Sequence, residues 1–517
     1  MSGRMILGAL LSCALLIACS GGGGSPTAPA PIVPTAGAAP WLPLIPEVVS
    51  SGGVAALTLQ AAFDSSGRPA FFWNGQKTAP TIRVAPGDTI QLTFVNTLPE
   101  FCAVGVQSNS NLHFHGFTSS PTVPGDEVIT TLAAPGQTLN YTVIVNTDQP
   151  PGLYWYHAHP HGLSSYEVGN GMAGAIVIEG IANEVPATAG LRERVIVLSD
   201  IPNDPSFAAG EDARLRRAAR VHAADSDEGG NPCRAETTAT PMINGIPMAS
   251  IGIMPGEKEL FRVVNTSGHR HFDIAVDGQS LDLVAQDGVP IHDYAGAPQS
   301  LTVPSTVIPP GGRSEFIVTG RSTPAALVSN CYQSGPAGDA NPAIVLGMLA
   351  NDHGTSGSET TSVRVRQRLS FIRKPLFYRE PLPAPVATHL IHFQEDSNGF
   401  YLNGMQYSAS AAPMIVSHVG TVEEWTLEND TDEVHAFHIH QVHFIVNSVN
   451  GVPQPNPHWL DSFDIPPQGH TAAGNLVPSL TKVLIDFRDP VIQGTFVFHC
   501  HILDHEDAGM MAKIQLI

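Results

Sequence analysis

The sequence predicts an all-β fold made of three consecutive β-sandwich domains, and three observations lead there. The chain is rich in residues that punctuate short strands, with 49 glycines and 44 prolines among 517 residues, as a protein of many turns requires. That length exceeds what one hydrophobic core serves, so two to four domains are expected. Finally, one unit recurs three times: Asn74-Gly75, Gly87 and Asn96; Asn244-Gly245, Gly256 and Asn265; Asn403-Gly404, Gly420 and Asn429. The step from the later glycine to the closing asparagine is nine residues each time. Within it apolar and polar residues alternate, as in TIQLTFVN, the mark of a strand with one buried face. The domains are placed at 51–182, 188–355 and 365–517.

Composition narrows the function. A hydrophobic content of 43% with 14% charged residues fits a folded, soluble body. The formal net charge of −21 argues against a nucleic-acid partner, because phosphate binding needs clustered lysine and arginine. The one basic run, Arg214 to Arg220, reads as a solvated helix face.

Residues 1–18 carry one arginine and then an apolar stretch too short for a mature membrane span, so they read as a secretory signal. Leu16-Ile17-Ala18-Cys19 resembles the bacterial lipobox, in which the cysteine receives lipid. A plain signal cleaved near Ala18 is the rival. Residues 19–50, rich in glycine, proline and alanine, suit a flexible tether that holds a domain off a membrane. The expectation is a cell-envelope protein, lipid-anchored at Cys19, facing the periplasm and monomeric. Of six cysteines, Cys13 goes with the signal, Cys19 with the lipid and Cys500 with a metal, leaving Cys102, Cys233 and Cys331. One disulfide and one free thiol are expected in an oxidising compartment, with Cys233–Cys331 preferred because both fall in the central third.

The chemistry concentrates in His499-Cys500-His501, followed by His505 and Met510. Alternate side chains of a strand point to opposite faces, so Cys500 faces one way while His499 and His501 face the other. A thiolate, two imidazoles and a further sulfur form the ligand set of a blue-copper electron-transfer centre. Three more His-x-His pairs occur, His113/His115, His157/His159 and His438/His440. They fall at matching places in the first and third repeats, and eight imidazoles there enclose three copper ions if those domains face each other. The middle domain then acts as spacer, and its His269 and His271 read as a remnant without metal.

With 22 histidines in the chain, a lone pair means little. Four pairs in register with a repeat, one interrupted by cysteine, mean more. Zinc is the rival metal, but structural zinc closes with four ligands.

These segments resemble the four copper-binding motifs of the multicopper oxidases, the three-domain, laccase-like family of cupredoxin-like Greek-key domains, and the resemblance covers essentially the whole mature chain. It implies a type 1 copper on His435, Cys500 and His505 with Met510 axial. It implies a type 2 copper on His113 and His438, and a type 3 pair on His115, His157, His159, His440, His499 and His501. It further implies that four one-electron oxidations of a donor are coupled to reduction of dioxygen to water, with Asp126 and Glu506 where the family places its proton donors. For Glu506 a plain surface carboxylate is the alternative. An axial methionine implies a lower type 1 potential than leucine or phenylalanine would give.

Phenols or aromatic amines are the expected donors, with cuprous-ion oxidation as runner-up and other metal ions open. Copper-handling members carry methionine-rich inserts, whereas the 11 methionines here form no run outside Met510-Met511. Met242, Met248 and Met254 read as strand packing. His161 reads as a loop residue, His443 as an orienting neighbour of the ligands, and His389 and His392 as packing. A non-catalytic copper-binding envelope protein is the reading from another class.

Overall fold

The computed structural model describes residues 39–99, 108–203, 232–236, 238–292, 299–351 and 381–517. In each third, a long strand runs parallel to the strand that ends in the repeat asparagine. Val54–Phe63 pairs Thr89–Asn96, Arg192–Pro202 pairs Lys258–Asn265, and Ala387–Asp396 pairs Thr421–Asn429. A second sheet packs across each, and three separate apolar cores fill the gaps. The result is three cupredoxin-like sandwiches in succession.

The repeat residues have mechanical roles. Asn74, Asn244 and Asn403 take φ of 50°, 48° and 49°, each followed by a glycine at 73°, 81° and 73°. Two successive left-handed residues make the tight turn that asparagine-glycine pairs favour. The closing asparagines are fully buried and each ties down the loop after its strand. Asn96 Nδ2 donates to Ser108 O and Ala133 O, Asn265 Nδ2 to Arg270 O and Ile308 O, and Asn429 Nδ2 to Glu433 O and Pro466 O. Each Oδ1 accepts a backbone N–H two residues on. The loops so fixed lead into His113, His271 and His435.

The strands bearing the histidine motifs pair in the same way in the outer domains. His113–His115 lies antiparallel to Gly152–His157 with His113 opposite His157. His435–Ile439 lies antiparallel to Gly494–Cys500 with His438 opposite His499. The three domains meet in a small apolar cluster of Leu153, Trp155, Val168 and Val177 with Val264 and Leu503.

Two expectations need correction. Residues 39–50 are not a flexible tether: Leu42 N–H donates to Ser250 O at 2.9 Å, and Glu47–Val49 forms an edge strand whose Glu47 accepts from Arg83 at 2.7 Å. A partner on each side gives this stretch more to gain from packing than from remaining solvated. Met254 is 43% exposed and so not a packing residue, whereas Met242 and Met248 are half-buried. Cys233 and Cys331 form a disulfide with Cα atoms 5.5 Å apart. The signal, Cys19, Cys102 and the Arg214–Arg220 run lie outside the described residues.

Between the first two domains runs a buried ionic chain. Arg83 pairs with Glu193, Glu193 with Arg262, and Arg262 with Glu315, whose other oxygen accepts from Leu153 N–H. Removing one partner strands a buried charge, so Arg262→Met should cost about 3–5 kcal/mol, read by chemical denaturation, while Lys258→Met on the surface should cost little.

Candidate metal centre

The strands His435–Ile439 and Gly494–Cys500 and the helix Leu503–Asp507 bring His435, Cys500 and His505 together in the third domain. His435 Nδ1 and His505 Nδ1 lie 3.2 Å apart, each 3.7 Å from Cys500 Sγ. That spacing suits metal bonds of about 2.0–2.3 Å to nitrogen and sulfur. Met510 is fully buried in the same core, and its carbonyl accepts from Cys500 N–H at 3.0 Å. The outer nitrogens are oriented from behind: His435 Nε2 meets Thr431 Oγ1 at 2.9 Å and His505 Nε2 meets Glu433 Oε1 at 3.4 Å. Phe393 stacks on His435 and Phe400 on His505, fixing both rings. Burial pushes the metal-free Cys500 thiol above its usual range, so a cation is what would favour its thiolate.

On the other side of the same strand, eight imidazoles from the first and third domains share one buried space. They gather as His113, His115 and His438; as His115, His157 and His501; and as His159, His440 and His499, with donor atoms of each set within 4.8 Å of one another. His113 stacks on His440 with centroids 3.6 Å apart, and His115 on His438 at 3.8 Å, so each stack crosses the domain seam. Only His113/His115 lies wholly on a strand. His159, His440 and His501 fall just past the ends of theirs, yet their rings still turn inward.

Chemistry of the donors fits a soft or borderline cation. Burial and neighbouring imidazoles hold His113, His115, His157, His159, His438, His440 and His501 well below the usual imidazole range, and His499 at about 3. All eight are therefore neutral, with a lone pair to give. Nε2 of His113, His115, His157, His438 and His501 has no hydrogen-bond partner, which is costly for buried groups unless something binds them. On the far side of the rings, oxygen acceptors set the tautomer. His113 Nδ1 meets Asp126 Oδ2 at 2.9 Å, His157 meets Ala158 O at 2.9 Å, His438 meets Asp461 O at 2.7 Å and His499 meets Cys500 O at 3.0 Å.

Both acidic candidates sit at this cluster. Asp126 is buried, accepts from Phe114 N–H and from Gln441 Nε2, and burial pushes it up to about 7. Glu506 has no exposed surface, so the surface-carboxylate alternative fails. It lies 3.8 Å from His159 Nδ1 and 4.0 Å from His499 Nδ1, accepts from Ser164 Oγ, and is pushed well above the carboxylate range by burial and then by Asp507.

Other histidines differ from expectation in part. His443 is buried and approaches Asp287 O and Asp461 Oδ2. His389 packs edge-on against Trp425 and also pairs with Glu423, whereas His392 is not a packing residue but a partly exposed ion-pair partner of Asp430. His269 and His271 contact Asp200 and Asp464. Sequence reasoning missed Gln441, Asp461, Thr431, Glu433 and Ser164. Only Gln441 and Glu433 had a signal, since each lies within two residues of a motif histidine.

Multicopper oxidase family models match residues 57–183, 213–350 and 379–516. A multicopper oxidase of Staphylococcus haemolyticus is 23% identical over 451 residues, covering 86% of this chain and 83% of its own. Laccase-2 of Podospora anserina is 23% identical over 495 residues, covering 85% and 74%. Among solved structures, a multicopper metallo-oxidase from Campylobacter jejuni superposes with a TM-score of 0.67 at 21% identity, covering 92% and 94%. A laccase-like multicopper oxidase from Ochrobactrum, described as acting on lignin model compounds and lignosulfonate, gives 0.65 at 22%, covering 92% and 100%.

Metal bound at these nitrogens stabilises the fold by an amount that grows with the logarithm of its concentration over Kd, about 4 kcal/mol at a thousandfold excess. Copper loading of stripped protein should therefore raise its melting temperature, and His115→Ala/His438→Ala should lose most of the rise by calorimetry.

Proposed function

This chain belongs to the multicopper oxidase family, is a copper-dependent oxidoreductase that uses dioxygen, and we propose that its donors are phenols or aromatic amines. The observation that carries the reading is a His-Cys-His set and an eight-imidazole set on opposite faces of one strand. His435, Cys500, His505 and Met510 would hold a type 1 copper. His113 and His438 would hold a type 2 copper, and His115, His157, His159, His440, His499 and His501 a type 3 pair, four ions in all. Copper so held supplies one-electron acceptance beside the thiolate and four-electron reduction of dioxygen to two waters at the imidazole cluster.

The chain's own residues organise that chemistry. Cys500 is joined by its peptide bonds to His499 and His501, so the sulfur side and the imidazole side are covalently linked through one residue. Donor and dioxygen are thereby kept on separate faces. Burial keeps Glu506 in its acid form beside His159 and His499, where a proton is needed as oxygen is reduced. Asp126, poised near neutrality and held by Gln441, exchanges protons beside His113. The whole cluster is buried, which strengthens these electrostatic effects.

Glu433 and the Phe400 ring border His505. A carboxylate there accepts from an O–H or N–H, which suits a phenol or aromatic amine. The exposed methionines Met254 and Met405 lie in different domains, which does not favour the cuprous-ion alternative. For localisation we keep export and lipid attachment at Cys19, resting on residues 1–19; Cys19→Ser should move the protein from the membrane to the soluble fraction.

Oxygen uptake with a panel of phenols, aromatic amines, Cu(I), Mn(II) and Fe(II) tests the donor, and copper bound without uptake on any of them contradicts the oxidase reading. Cys500→Ser should abolish the blue thiolate band and donor oxidation while leaving the imidazole cluster loaded. Glu506→Gln and Asp126→Asn should each lower turnover about 10²-fold or more without loss of copper. Wild-type turnover should also fall as pH rises through about 7, as Asp126 loses its proton, and Asp126→Asn should flatten that limb.

A further inference from the structure

None of the residues assigned to copper belongs to the middle domain, yet its segment 309–313 reaches the imidazole cluster. We propose that this segment is a wall of the cluster and that Arg313 is a positioning residue for His115 and, through Asp461, for His438. The proposal rests on the reading of those imidazoles as copper ligands.

Arg313 is fully buried and spans all three domains. Its Nη1 and Nη2 donate to the two carboxylate oxygens of Asp461 in the third domain, 2.6 Å each. Nε donates to Leu153 O in the first domain at 3.2 Å. Nη1 also lies 3.2 Å from His115 Nδ1. With the Nε2 lone pair turned to the cluster, Nδ1 carries the proton, and the Asp461 carboxylate that Arg313 holds faces that N–H at 3.7 Å. Asp461 in turn takes His438 Nδ1 on its carbonyl. One side chain therefore locates two imidazoles from different domains, the two that stack across the seam.

Three further features are shaped to this contact. Asp287 of the middle domain accepts from Arg313 N–H on one oxygen and from Asp461 N–H and Ser462 N–H on the other, aligning the pair. Gly116, at φ +87°, has no room for a side chain: a Cβ there would strike Arg313 Nη2 and lie 2.7 Å from Asp461 Oδ2. Gly311, at φ +81°, presses bare backbone on His501, where a Cβ would fall 2.6–2.9 Å from three ring atoms. Thus His115 and His501, members of one metal-sized set, are both backed by the middle domain.

The arrangement also distinguishes His115 electronically. His113, His157, His438 and His499 turn Nδ1 to an oxygen acceptor, which enriches the ring. His115 instead turns Nδ1 to the Arg313–Asp461 ion pair. Mere interdomain attachment would require none of this.

The test uses full-length Arg313→Lys and Gly311→Ala, stripped and titrated with copper. The type 1 ligands all lie in the third domain, so the blue band reports that this domain is folded in each variant, and circular dichroism with the melting transition reports the middle domain. Arg313→Lys keeps the charge but loses the fork, and should weaken copper binding at the cluster about 10–100-fold with the blue band intact. It should also shift the electron paramagnetic resonance signal of the copper on His113 and His438. Gly311→Ala should change the near-ultraviolet absorption of the coupled pair. Cluster affinity and both spectra unchanged in the two variants, with only a lower melting temperature, would overturn the proposal. If the parent protein itself takes up copper only at Cys500, the ligand reading fails instead.

Discussion

The alternation of side chains along Gly494–Cys500 is the constraint on which the rest depends. One strand cannot present neighbouring residues to the same face, so a cysteine between two histidines must divide its chemistry between its two sides. The sulfur turns into the third domain's core with His435, His505 and Met510, and the imidazoles turn out to the domain seam. The same alternation governs the facing strand, where His435 and His438 also point opposite ways. Neither site can move without carrying the other.

Keeping that strand in place is the work of the repeat. Each buried asparagine clamps the loop that follows it by donating through Nδ2 and accepting through Oδ1, and buried polar groups so satisfied specify a conformation strongly. In the outer domains the clamped loops deliver His113 and His435. The imidazole cluster itself does the opposite: it buries neutral nitrogens that the protein leaves unmatched. Stability surrendered there is recovered when metal binds, which ties folding to function.

Legibility in the sequence followed the range of the interactions. The Asn-Gly turns, the nine-residue step and the four His-x-His pairs are local patterns, and they announced three sandwiches and the residues that converge. His159, His440 and His501 were named although they lie beyond their strands, because motif spacing needs no exact strand end. By contrast, Glu506 could not be told from a surface acid, since its burial depends on Ser164 of another domain. Arg313, Asp461 and Asp287 left no trace in sequence spacing, being 26 to 174 positions apart. Such contacts hold the middle domain to the site, so a domain read as a spacer proves to touch it. Residues 39–50 were misread for a related reason: their composition suits a linker, while their partners Ser250 and Arg83 are remote.

Anomalous diffraction at the copper edge from crystals of copper-loaded protein tests the central claim most directly. The account requires one peak bounded by Cys500, His435 and His505, and three more enclosed by the eight imidazoles of the outer domains. A fully loaded crystal with no copper between the first and third domains, or with Cys500 away from any peak, would contradict it.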